Sequence, residues 1–239
     1  MTDTENQRAG FAAIIGAPNA GKSTLVNRLT GTKVSIVTQK VQTTRFPVRG
    51  IAIEGDAQIV LVDTPGIFTP RRRLDRAMVA SAWGGASDAD VVVHLIDAAS
   101  HIASEGKEGQ AADRRSAEDT ETIIANLKAT GQQVILALNK IDGMRRDTLL
   151  ALSHALFETG VYSEVYMISA LSGDGVDDLK QRLARAMPEG PWLDPEEEVV
   201  AGGHLRFHDG AIVLGDAPGL GLEIDQDALA RLHRQYLDC

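Results

Sequence analysis

An unbroken apolar run, FAAIIGA (11–17), passes through a glycine-bearing turn straight into GKSTLVNRLTG (21–31), which has helical spacing and stops at Gly31. A strand without polar alternation is buried on both faces, and a strand leading directly into a helix is half of a βαβ unit. The alternation continues down the chain. FPVRGIAIEG and AQIVLVDTPG (46–66) read as two strands joined by a turn at Gly55-Asp56. RRRLDRAMVASAW (71–83) reads as a helix with Leu74, Met78 and Val79 at helical spacing, and VVVHLIDA (91–98) as a strand. SAEDTETIIANLKATG (116–131) has a Ser-x-x-Asp start and a glycine stop, the marks of a capped helix. VILALNKID (134–142) is a strand, DTLLALSHALFETG (147–160) a helix, EVYMISA (164–170) a strand and VDDLKQRLARAM (176–187) a helix. The expectation is an α/β fold, a mostly parallel six-stranded sheet covered by helices on both faces. At 239 residues and 44% hydrophobic content, the chain can build one large domain, or one domain and a small appendage.

Two stretches break the rhythm. SHIASEGKEGQAADRRSA (100–117) is long and charged and carries two glycines, so it reads as a mobile surface loop. MPEGPWLDPEEEVV (187–200) is rich in proline and acid and reads as a linker, with Trp192 packing it against the domain. His94 falls inside a strand and reads as a core or edge histidine.

The net charge of −9 argues against broad, charge-driven nucleic-acid binding, although a local basic patch is compatible with it. The single cysteine, Cys239, cannot form an internal disulfide, which suits a reducing cytosol. MTDTENQRAG at the start is polar and has no signal-peptide core, and no apolar run reaches the length of a membrane span. A cytoplasmic protein is expected, with room for peripheral contact with a membrane or a ribosome.

The turn after the first strand carries chemistry. Gly16, Gly21, Lys22 and Ser23 fit G-x-x-x-x-G-K-[ST], between a strand and a helix as the pattern requires. Residues Gly16, Ala17, Pro18, Asn19, Ala20, Gly21, Lys22, Ser23 and Thr24 would form a loop whose N–H groups point inward at phosphate oxygens. The helix N-terminus adds partial positive charge. Lys22 would reach the β- and γ-phosphates, and the Ser23 hydroxyl would ligate Mg²⁺. In VDTPG (62–66), Asp63 would hold Mg²⁺ through a water, and the Gly66 N–H would sense the γ-phosphate beside Thr64, Pro65 and Ile67.

NKID (139–142) selects the base. The Asp142 carboxylate can accept hydrogen bonds from guanine N1–H and the 2-amino group, neither of which adenine offers. Lys140 would lay its stem along the base, and Asn139 would tie this loop to the phosphate loop. Ser169 and Ala170 follow the next strand, where the Ala170 N–H would meet guanine O6. These stretches fall in order at the C-terminal ends of strands, where such sheets bind ligands. GTP or GDP is the expected ligand. TQKVQTTRFPVRG (38–50) lies where a first switch would lie; Thr43 or Thr44, with Thr44 preferred, would offer Mg²⁺ a hydroxyl and the γ-phosphate an N–H. The residue after DTPG is Ile67, which cannot align water by hydrogen bonding, so hydrolysis is expected to be slow without an activator. Lys22, Asn19, Thr44 and Gly66 are the expected catalytic set.

GAPNAGKSTLVNRLTGTKVSIVTQKVQTTR, DTPGIFTPRRRLDRAMVASAWGGASDAD, NKID, MISALSGDGVDDL and MPEGPWLDPEE together resemble the GTPase domain of the Era family, over about residues 8–198. KVQTTR and RRRLDRAM go beyond generic motifs. The resemblance implies a three-layer P-loop GTPase domain over 8–187, a linker over 188–200, and GTP hydrolysis coupled to maturation of the small ribosomal subunit and its 16S rRNA. It further implies some association with the inner face of the membrane; a monomer is expected. In related GTPases that lack a water-orienting glutamine at the position of Ile67, an asparagine at the position of Asn19 helps hold a K⁺ ion beside the phosphates, and such an ion can replace an arginine finger. The rival reading is that Asn19 only stabilises the loop's backbone. Arg71, Arg72 and Arg73 either meet ribosomal RNA or form a solvated helix start.

Era proteins continue into an RNA-binding KH domain with a GXXG loop. The stretch after residue 200 does not resemble one. GGHLRFHDGAIVLG (202–215) reads as a hairpin about Asp209-Gly210, and DAPGLGLEIDQDALARLHRQYL (216–237) as a glycine loop and a short helix. This 201–239 tail loosely resembles the C-terminal segment of enolase-superfamily enzymes, which suggests a fused or rearranged gene and puts RNA binding in doubt. A guanine-nucleotide-binding module, or a non-functional fusion product, is therefore the alternative. His204, His208 and Asp209 are too widely spaced along a strand for one metal.

Overall fold

The computed structural model describes residues 7–31, 48–62, 89–106 and 109–193, and four two-residue strands beyond them. The expected helix over 71–83, Arg71, Arg72 and Arg73, both switch threonines (Thr43 and Thr44), and Asp63, Thr64, Pro65, Gly66 and Ile67 lie outside the described residues, as does most of the expected helix in 216–237.

Six strands form one sheet: β1 (Arg8–Ile15), β2 (Val48–Glu54), β3 (Ala57–Val62), β4 (Val91–Asp97), β5 (Val134–Asn139) and β6 (Tyr162–Met167). Their spatial order is β2-β3-β1-β4-β5-β6, with β2 antiparallel to β3 and every other pairing parallel. The expected mostly parallel six-stranded α/β sheet is thus the observed one. β1 begins at Arg8, three residues before the apolar run, because it pairs with β3 from Arg8↔Ala57 onward.

The helices are α1 (Lys22–Thr30), α2 (Ala98–Glu105), α3 (Ala111–Thr130), α4 (Arg146–Phe157) and α5 (Val176–Ala186). Successive residues of each central strand point to opposite faces. Ile14, Leu95 and Ile135 pack with Leu25 and Leu29 of α1 and Leu179 and Leu183 of α5. Ile15, Ile96 and Leu136 pack with Ile123 and Leu127 of α3 and Leu149, Leu152 and Leu156 of α4. These two apolar layers fix the sheet's strand ends relative to the helices that follow them.

The expected loop over 100–117 is instead mostly helix. Asp97 Oδ1 accepts from Ser100 N–H at 3.0 Å and caps α2. Asp113 Oδ2 accepts from Gln110 N–H at 2.9 Å and completes a capping box that starts α3 five residues before the Ser-x-x-Asp signal. The Ser100 hydroxyl donates to Asp113 Oδ1 at 2.5 Å, which joins the two caps. The charge of this stretch reflects a solvated helix face rather than missing structure.

Two compact units divide at Leu193. In the first, the chain after α5 packs along the rim of the sheet. Arg8 donates to Met187 O at 3.0 Å and pairs with Glu189 at 3.0 Å. The Trp192 indole donates to Asp56 O at 2.9 Å, so this residue does fasten the proline-rich stretch to the domain. In the second unit, Phe207–His208 pairs antiparallel with Ala211–Ile212, flanking the expected turn, and Val200–Ala201 pairs with Glu223–Ile224, a pairing not anticipated from sequence.

His94 is a core residue. It is fully buried, its Nδ1 lies 2.8 Å from the Tyr162 hydroxyl, and its Nε2 has no partner among the described residues. Burial, with lesser contributions from the nearby Lys22 and His101 charges, drives its pKa down to about 3. The folded value lies below the unfolded 6.5, so between these values only the unfolded chain takes up the proton. Stability therefore falls as pH drops from 6.5, by at most about 1.4 kcal/mol per pH unit from this residue. Urea unfolding between pH 7 and pH 5, above most carboxylate titration, should show this slope in the wild type and a flatter one in His94→Gln. Equal slopes in the two proteins would exclude His94 as the source.

Candidate guanine-nucleotide site

The loop between β1 and α1 follows the C-terminal end of β1, which lies between β3 and β4 in the sheet. Ala17 and Ala20 are buried, while Pro18 and Asn19 form its exposed crest. Asn19 has φ 64°, and the only other non-glycine residue with positive φ among those described is Lys140, with φ 63°. Both lie in stretches that the sequence assigned to nucleotide binding. Left-handed backbone at such residues costs energy and persists where the surroundings hold it.

Lys22 is the first residue of α1, and its ammonium donates to Gly16 O at 3.0 Å and Ala17 O at 2.8 Å. The charge is thereby held at the mouth of the loop, where phosphate oxygens would be met. Ser23 and Thr24 are exposed in the first helical turn, beside the unpaired N–H groups of the helix start. The Ser23 hydroxyl is a hard oxygen donor of the kind Mg²⁺ takes together with phosphate oxygens. Among the described residues there is no cluster of three or more His, Cys, Asp or Glu suited to a metal.

Asn139 ends β5 and is buried. Its Nδ2 donates to Ala20 O at 2.8 Å, and its Oδ1 accepts from Ala170 N–H at 2.9 Å. One amide thus ties the phosphate loop to the loop after β6. The tie to the phosphate loop is as the sequence implied. The Ala170 N–H differs: it was expected to face guanine O6, and here it donates to Asn139. An N–H held this way can serve a base oxygen as the second limb of a shared bond.

Lys140 and Asp142 follow on a turn closed by Met144 N–H donating to Ile141 O at 3.0 Å, and Asp142 is exposed. Lys140 Nζ pairs with Asp97 Oδ2 at 2.6 Å. Asp97 was not singled out from sequence. The signal for it was an acid at the end of VVVHLID, directly before a helix. It fixes the lysine head with one oxygen while its other oxygen caps α2. Ser169 is buried in a tight loop, where its N–H donates to Asp174 O at 2.9 Å and its hydroxyl accepts from Ser172 N–H at 3.0 Å.

A glycine loop at a strand–helix junction, bridged by an asparagine to loops at the ends of β5 and β6, is the architecture of a P-loop GTPase domain. Residues 11–140 match the family described as 50S ribosome-binding GTPase. The chain belongs to that family. It is 66% identical over 199 residues to GTPase Era of Caulobacter vibrioides, a match covering 83% of this chain and 63% of that one. It is 56% identical, with the same coverages, to GTPase Era of Maricaulis maris. Among solved structures it is similar to an Aquifex aeolicus Era variant bound to GDP and AlF4⁻, with 37% identity and a TM-score of 0.61 over 80% of this chain and 61% of that one. The same figures hold for Era in complex with MgGDPNP and nucleotides 1506–1542 of 16S ribosomal RNA. The Era resemblance read from the motifs is borne out. The chain spans about three fifths of the length of the curated relatives it matches.

The bridge through Asn139 places a steric demand on the phosphate loop. Gly21 has φ 100°, and a Cβ there would collide with Asn139 Nδ2. Gly31, at the other end of α1, has φ 66° and nothing within 4 Å of a Cβ. Gly31→Ala should therefore cost about 2 kcal/mol of stability, since φ 66° with ψ −159° is backbone that essentially only glycine adopts, and leave nucleotide binding unchanged. Gly21→Ala should cost about 2 kcal/mol and weaken GDP binding at least about tenfold, because strain and a displaced Asn139 add. Thermal unfolding and nucleotide titration of the pair check this; equal effects on binding would refute the steric account.

Proposed function

We propose that this chain is an Era-type GTPase, which binds GTP and hydrolyses it to GDP and phosphate, in the service of small-subunit assembly and 16S rRNA maturation. The observation that carries the reading is the Asn139 bridge: it ties the end of β5, which runs on into Lys140 and Asp142, to the phosphate loop and to the loop after β6. Residues 16–24 cradle the phosphates, with Lys22 countering their charge. Ser23 and Thr44, with Asp63 through a water, would hold Mg²⁺, which would offset charge on the phosphates. Asp142 selects guanine, the Lys140 stem covers one face of it, and Ser169 and Ala170 close the site. Thr44 and Gly66 report the γ-phosphate, and Thr64, Pro65 and Ile67 belong to the same nucleotide-binding stretch of the sequence. The RNA bound in one similar Era structure, nucleotides 1506–1542 of 16S ribosomal RNA, supports the ribosomal role. The protein works in the cytoplasm as a monomer, with peripheral contact at the inner membrane face, a reading that the family resemblance supports.

Base selection has a direct test. Asp142→Asn replaces one acceptor oxygen by a donor, which suits the 2-oxo group of xanthine and clashes with the 2-amino group of guanine. The variant should lose at least about a hundredfold in GTP affinity, two charge-assisted hydrogen bonds being spoiled, and gain affinity for XTP. Unchanged GTP binding would overturn the guanine reading.

Turnover has a second test. Asn19 is exposed on the loop crest, where its amide can help hold K⁺ beside the phosphates. Hydrolysis is expected to be about tenfold faster in KCl than in NaCl, and Asn19→Ala should abolish the difference. Further acceleration by small-subunit particles would support the ribosomal role. Tight GTP binding with no turnover in either salt would instead favour a nucleotide-binding module.

A further inference from the structure

The loop after β6 is rigid within itself. Ser169 N–H donates to Asp174 O at 2.9 Å, Gly173 N–H to Ser169 O at 2.8 Å, and Ser172 N–H to the Ser169 hydroxyl at 3.0 Å. Such a loop moves as one piece, so its placement depends on its ties to neighbours. Asn139 is one tie. The second comes from α1, which itself starts in the phosphate loop. Arg28 Nε donates to Ala170 O at 3.3 Å, and its Nη2 donates to Leu171 O. The guanidinium lies against Gly173, where an added Cβ would sit 3.5 Å from Arg28 Cζ. The Ala170 residue is therefore held on both sides, its N–H by Asn139 and its carbonyl by Arg28.

We propose that Arg28 is a positioning residue for guanine recognition: it clamps loop 169–174 to the phosphate-loop helix and so sets how closely that loop meets the 6-oxygen edge of the base. The inference rests on the guanine-nucleotide reading above. The chemistry favours arginine. A planar fork with several donors spans two consecutive carbonyls, whereas a lysine ammonium meets them as a point charge on a flexible stem. Charge-assisted bonds of this kind are stronger than neutral ones, so the clamp resists the outward rotation that releases a base. Arg28 itself touches no reacting atom. Its effect falls on residence time and base preference, with the phosphate contacts of Lys22 and Ser23 untouched.

The test follows dissociation of a fluorescent GDP analogue from the full chain, and compares GDP with 6-thioguanosine diphosphate. The thio analogue keeps both donors for Asp142 and replaces the 6-oxygen by a poor acceptor. Arg28→Ala should raise the dissociation rate about tenfold with little change in association, and should shrink the preference for GDP over the thio analogue. Arg28→Lys should recover part of both, and it carries the test alone if the alanine variant fails to fold. A general loss of structure would weaken both nucleotides equally and keep their ratio; that result, or an unchanged dissociation rate, overturns the inference while leaving the guanine site standing. A wild-type chain that fails to bind GDP overturns the guanine reading, and this inference with it.

Discussion

The side-chain amide of Asn139 holds together three parts of the chain that are far apart in sequence. It donates to Ala20 O in the phosphate loop and accepts from Ala170 N–H after β6, and it is itself the last residue of β5. The amide is buried, so each of its bonds replaces one that water could have made, and losing either would leave a desolvated polar group. Neighbouring features answer to this one amide. Gly21 must lack a side chain so that Nδ2 can approach. Lys140 takes up left-handed backbone immediately afterwards, turning the chain out toward Asp142.

The sheet makes this bridge possible. β5 and β1 are separated in the sheet by β4 alone, and both end at the same edge because the three strands run parallel. Had β4 run antiparallel, it would keep the spacing but break the crossover geometry that lets helices cover both faces. The two apolar layers lock that arrangement. Ile14 with Leu95 on one side, and Ile15 with Ile96 on the other, commit each strand to its register, since a slip of one residue would exchange the two faces.

Much of this was legible before any coordinates. Fully apolar strands announce themselves because both faces are buried, which leaves no polar residue to blur the run. The strand, glycine loop and helix at 11–31 and the NKID at the end of β5 were readable for the same reason: phosphate and guanine demand particular residue types at fixed spacing. Reading failed where stability came from caps rather than apolar periodicity. Over 100–117 the charged residues suggested a loop, yet Asp97 and Asp113 each use a carboxylate to start a helix, and Ser100 joins them. A capping acid and a solvated loop acid look the same in a sequence; only the backbone N–H groups they face tell them apart.

The same contrast separates the two ends of the site. At the phosphate-loop end, the local geometry depends on side-chain identity: the Lys22 ammonium reaches back to the Gly16 and Ala17 carbonyls, and a Cβ at Gly21 would collide with Asn139. At the base end, the loop after β6 is placed through its backbone, by donors aimed at the carbonyls of Ala170 and Leu171. A carbonyl accepts from any donor that reaches it, so the demand falls on geometry rather than on a letter in the sequence. Arg28 accordingly reads as an ordinary exposed residue between Leu25 and Leu29 on an amphipathic helix, and Asp97 as one more acid at a strand end. Sites built partly from main-chain contacts conceal their supporting residues in this way. A structure is needed to find them, because the partner atom is one that every residue possesses.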